Sequence, residues 1–125
     1  MIKVEIELKN NDYKSIRALG HANYSPPGQE DIVCAAVSTL IQTAVQGIMN
    51  LSKYDTYVLA KGNQSIALPD EISESDQHCA NIIFETVSLG IASIAAMHPK
   101  NVKVYYREGE SYEELNIDQF EIVQP

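Results

Sequence analysis

Apolar and polar positions alternate from the start of the chain: Ile2, Val4, Ile6 and Leu8 fall on one face, and Lys3, Glu5 and Glu7 on the other. A period of two predicts a half-buried strand, because successive side chains of extended backbone point to opposite sides. Asn10-Asn11-Asp12 follows as a turn, its short polar side chains bonding nearby backbone and tolerating left-handed conformations. Tyr13 to Ala22, with Ile16, Ala18 and Leu19, reads as the return strand of a hairpin whose far end delivers His21. From Tyr24 to Glu30 no regular element is expected, since Pro26 and Pro27 remove donors and fix φ while Gly28 permits positive φ. The spacing then changes to three and four. Ile32, Val33, Ala36, Val37, Leu40, Ile41, Ala44, Val45, Ile48 and Met49 predict a mostly buried helix from an N-cap at Asp31 to about Asn50.

Tyr54 to Ala60 and Ser65 to Leu68 flank Lys61-Gly62-Asn63-Gln64 and read as a second hairpin, closed by Pro69. The acidic stretch Asp70 to Asp76 suits the positive end of a helix dipole. A second long helix is expected over roughly Ser75 to Met97, with Cys79, Ile82, Ile83, Val87, Gly90, Ile91, Ile94 and Ala95 on its apolar stripe. His98-Pro99 ends it, because a residue before proline avoids helical dihedrals. Val102, Val104 and Tyr106 alternate with Lys103, Tyr105 and Arg107 as a closing strand. The order β-β-α-β-β-α-β predicts an α+β fold: two long helices packed on a mixed, largely antiparallel sheet. Residues 108–125 are acidic, but Ile117, Phe120, Ile122 and Val123 make them too apolar for a disordered tail. They are expected to dock as a further strand or to cover a neighbouring surface.

Composition narrows the setting. At 125 residues, 45% hydrophobic and 21% charged, the chain suits one globular domain. The alternating start is unlike the continuous apolar block of a secretory signal, and no apolar run looks long enough to cross a bilayer, so a cytoplasmic protein without a membrane partner is expected. In that compartment both cysteines are free thiols. A net charge of −8 argues against direct nucleic-acid binding and suits a basic partner, although solubility alone is the commoner reason for an acidic chain. The three histidines and two cysteines lie apart on different elements, which is not zinc-ligand spacing; no metal or cofactor is expected.

The candidate chemistry lies between Gly20 and Ser38. Cys34 falls in the first turn of the first helix, where unsatisfied N–H groups and the helix dipole favour a thiolate and could receive an oxyanion. His21 can act as its base or imidazolium partner if the loop folds back; Ser38 shares the helical face of Cys34. Asp31 either orients His21 or only caps the helix. Spacing alone does not pair a catalytic Cys with a His. Elsewhere, Cys79 reads as core packing, His78 points roughly 100° away from it, and His98 is explained by its helix end.

Gly20-His21-Ala22, a short loop containing Gly28, and Asp31-Ile32-Val33-Cys34-Ala35-Ala36-Val37-Ser38 together resemble the signature of the ribosomal-processing cysteine proteases called Prp. The likeness covers residues 1 to about 107. It implies a cytoplasmic, homodimeric endopeptidase that removes a short N-terminal extension from large-subunit ribosomal protein twenty-seven, just after paired aromatic residues. It implies that His21 and Cys34 are the catalytic dyad, that Asp31 and Ser38 support them, and that Asn23, Tyr24 and Gly28 belong to a substrate-binding loop. Residues 1–107 would form the protease domain and 108–125 an acidic extension beyond the family's usual end. The loop departs from the family in carrying Pro26-Pro27 where a more glycine-rich segment is usual. A reading from another class is a non-catalytic ribosome-associated module that grips a basic protein tail.

Overall fold

The alternation at the N-terminus becomes strand β1 (Ile2–Lys9), which turns through Asn10 and Asn11 into β2 (Asp12–Gly20). Both asparagines take positive φ, 53° and 67°, as a two-residue turn between right-twisted strands requires. Helix α1 (Ile32–Ser52), β3 (Tyr57–Ala60), β4 (Asn63–Ala67), α2 (Glu74–Met97), β5 (Val102–Glu108) and β6 (Ser111–Glu114) follow, with a 3-10 turn at Ile117–Gln119. This computed structural model describes residues 1–52 and 56–121, so the expected strand start at Tyr54 and the apolar tail residues Ile122 and Val123 lie outside the described residues.

The six strands form one sheet in the order β3-β4-β2-β1-β5-β6. β1 runs antiparallel to β2 and parallel to β5, with Ile2 opposite both Gly20 and Val102; the other pairings are antiparallel. This is the expected mixed, largely antiparallel sheet. Both helices lie on one face, where Val4, Ile6, Ile16, Ile66 and Val104 meet Val37, Ile41 and Val45 of α1 and Phe84, Val87 and Ile91 of α2. Two glycines bring the helices together. A Cβ on Gly90 would stand 3.1 Å from the methyls of Leu40, and one on Gly47 would stand 3.2 Å from Ile83. An early α1 position thus meets a late α2 position, so the helices are antiparallel.

Several boundaries move. β2 ends at Gly20 rather than Ala22, because Gly20 turns to φ +95° and donates its N–H to the Gly62 carbonyl. The second hairpin turns on Lys61-Gly62 alone, since Asn63 and Gln64 already pair with Leu19 and Ala18. The expected burial of most of α1 is corrected to burial of one face, Ile32 being 63% exposed. In α2 the covered face runs through Gln77, Ala80, Phe84, Val87, Ser88, Ile91, Ala92 and Ala95; Ile82 is exposed and Cys79 only half-buried. A helix lying on one sheet face buries one stripe, and these helices hold more apolar residues than that stripe contains. Both helices also reach spanning length and mean hydropathy, 1.7 and 1.6, contrary to the expectation that no run was long enough. The tail docks in part as β6, where Tyr112 stacks on Tyr105 at 4.8 Å with the Lys3 ammonium over both rings.

Candidate active site

Asp31 organises the segment between β2 and α1. Its Oδ1 accepts from the Val33 and Cys34 N–H groups at 3.0 and 3.1 Å, which is the expected N-cap. Its Oδ2 accepts from the Tyr24 and Ser25 N–H groups at 2.8 and 3.1 Å, tying the loop to the helix start. Desolvation pushes the Asp31 carboxyl up, but the donors from Cys34, Ser25, Tyr24 and Val33 together outweigh it and hold the carboxyl below the usual carboxylate range. With these four backbone partners Asp31 joins the helix start to the loop, and no hydrogen bond links it to His21. The first-turn N–H groups of Val33 and Cys34 are consequently occupied, which corrects the expectation that they stand free for an oxyanion.

The Cys34 sulfur accepts a hydrogen bond of 3.2 Å from the Ala22 N–H. Ala22 is buried, at 1% exposure, and its carbonyl accepts from the Asn101 side-chain amide at 2.9 Å. The chain can turn here because Asn23, next along, takes φ +54°.

His21 is exposed just beyond β2 and makes no hydrogen bond to Cys34. The Cε1–Nε2 edge of its ring instead lies over Gly62, where a Cβ would stand 3.1 Å from either atom. Gly62 has φ +77°, a conformation that favours glycine, and a side chain there would press on the imidazole. Ser38 does lie one turn beyond Cys34, where its Oγ accepts from Gln64 Nε2 at 3.2 Å. The buried Gln64 Oε1 has no partner among the described residues.

These residues line one cleft of about 490 Å³. His21, Cys34, Asp31 and Ser38 contribute to it, as do Asn23 and Gly28 from the loop and Lys61 to Gln64 from the second hairpin. Tyr24 is placed differently: its ring meets the His98 ring edge-on at 5.1 Å, away from the cleft lining. The sequence assigns no site role to Ala22, Gly62, Gln64 or Asn101. A glycine inside a hairpin turn was a signal for Gly62, whereas the other contacts join residues with no periodic relation.

A thiol in the first turn of a helix, an amide on its sulfur and an imidazole on the rim of one cleft are the equipment of a cysteine hydrolase. The comparisons narrow that class. Residues 1–103 match the family model described as cysteine protease Prp, and the chain belongs to that family of cysteine proteases. Among solved structures it is similar to the essential ribosomal processing protease Prp from S. aureus bearing a covalently linked product peptide, at 24% identity and TM-score 0.72 over 86% of this chain and 100% of that one. The same S. aureus protease with a substrate peptide gives 22% identity and TM-score 0.70 over the same shares. SMU.848 from Streptococcus mutans is similar at 28% identity and TM-score 0.69, over 86% of this chain and 95% of that one. No curated protein sequence matches.

Proposed function

We propose that this chain is a cytoplasmic, homodimeric endopeptidase that removes the N-terminal extension of large-subunit ribosomal protein twenty-seven, with Cys34 as nucleophile and His21 as its acid–base partner. The observation that carries the reading is the 3.2 Å bond from the Ala22 N–H to the Cys34 sulfur, in a cleft that His21 also lines. The similar S. aureus protein is a ribosomal processing protease that holds a product peptide covalently. Asn23 and the loop from Ser25 to Gln29 wall the cleft and would receive the residues preceding the bond, while the net charge of −8 favours encounter with basic ribosomal sequence.

In this scheme His21 turns its exposed side chain from Gly62 towards Cys34. The thiolate forms a C–S bond to the scissile carbonyl as the π pair moves to oxygen. With Val33 and Cys34 N–H groups held by Asp31, the Ala22 N–H transfers from sulfur to the new oxyanion. The C–N bond then breaks, and the His21 imidazolium gives its proton to the leaving amine. Water attacks the thioester and passes a proton to His21, and the C–S bond breaks to restore thiolate and imidazolium. Asp31 and Ser38 support the site through the loop and the Gln64 amide.

Mass spectrometry of an extended ribosomal protein incubated with wild type, Cys34→Ala and His21→Ala tests the proposal. Cys34→Ala is expected to leave the substrate intact, and His21→Ala to slow cleavage by about 10²–10⁴-fold. Undiminished cleavage by Cys34→Ala would refute the assignment.

A further inference from the structure

We infer that Asn101 is a positioning residue for the nucleophile: its side-chain amide holds Ala22 so that the Ala22 N–H stays on the Cys34 sulfur. The inference rests on the reading of Cys34 as nucleophile. Asn101 lies in the turn between α2 and β5, and its own backbone is fixed on both sides, its N–H donating to the His98 carbonyl at 2.9 Å and its carbonyl accepting from the Ile2 N–H at 2.8 Å. From that anchored position Nδ2 donates to the Ala22 carbonyl.

Ala22 has left the sheet, so neither of its backbone groups has a strand partner. Its N–H goes to sulfur and its carbonyl to Asn101. A buried carbonyl stripped of its donor is strongly disfavoured, and the residue relieves it by rotating towards another donor or water. A displacement of Ala22 that gives its carbonyl a new partner moves the shared Cα and with it the N–H on the sulfur. The same turn meets the segment again two residues later, where the His98 ring packs against Tyr24. Asn101 touches no reacting atom; it acts through one residue, Ala22, whose N–H and carbonyl flank the same Cα.

Alkylation by iodoacetamide, followed residue by residue with mass spectrometry from pH 5 to 9, reads this role directly, with Cys79 in the same molecule as the control. Asn101→Ala removes the donor. Asn101→Asp keeps its size and backbone bonds but sets an oxygen against the Ala22 carbonyl, and it decides the matter if the alanine variant melts early. In both, the Cys34 alkylation profile is expected to depart from wild type while that of Cys79 stays in place. Peptide cleavage should lose about tenfold in kcat with KM within about twofold. A Cys34 profile that overlays wild type in Asn101→Asp, or an equal shift at Cys79, overturns the inference. Cleavage that survives Cys34→Ala would instead remove the reading of Cys34 on which it rests.

Discussion

Asp31 divides its two oxygens between two segments, the helix start and the loop that precedes it. Asparagine offers one acceptor oxygen and one amino group, so whichever way it turns, one pair of backbone N–H groups faces a donor. Asp31→Asn should therefore keep the cap and release the loop, lowering thermal stability by about 1 kcal/mol near neutral pH. Because folding depresses this carboxyl's pKa, its stabilisation is fully present above the unfolded value of about 3.9 and is lost as pH falls through the lower folded value. Melting curves should show the gap between wild type and Asp31→Asn constant from pH 5 to 7 and closing below about pH 4; a gap unchanged at pH 3 would count against the account. The cap and the helix-start position of Cys34 were legible because capping is local. The Ala22 amide was not, since a backbone donor leaves no residue type to notice, and Asn101 meets the Ala22 carbonyl across 79 positions.

At the scale of elements, local periodicity was a good guide wherever one face is buried and the other wet. β1, β2 and β5 show it, as do the extents of α1 and α2. It failed in β6, whose Ser111-Tyr112-Glu113-Glu114 are all exposed and present no alternation of burial. It also misassigned the stripe of α2, because apolar residues occupy two of its faces and only tertiary packing selects Phe84 over Ile82. The seam between the helices depends on absent side chains. Gly90→Val should press on Leu40 and destabilise by about 1–3 kcal/mol. Adding Leu40→Ala should recover part of that loss, so a double-mutant cycle by chemical denaturation should show coupling well beyond additivity; simple addition of the two effects would show that the seam has room.

For the molecule as a whole, the cleft and the tail lie towards opposite ends of the sheet. The cleft is built around β2, β4 and the start of α1, whereas β6 forms the edge beyond β5. A chain ending at Gly109 should lose the Tyr105–Tyr112 stack and the β5–β6 ladder, and melt several degrees lower, since an aromatic pair alone contributes about 0.5–1.5 kcal/mol. Its cleavage of a substrate peptide should stay within about twofold of the full chain. A large fall in cleavage at unchanged melting temperature would instead tie the tail to the site.

The parallel pairing of β1 with β5 sets an order of events as well as a shape. On a ribosome, the stretch carrying His21 and Cys34 is made early, but the strand that flanks β1 arrives only with Val102, one hundred residues after its partner Ile2. Until then the nascent chain carries the thiol without the turn that meets Ala22, and pairing across such a separation is slow as well as late. Completion of the cleft therefore waits for the turn at Asn101: a product stalled or truncated before it would display Cys34 without its finished setting.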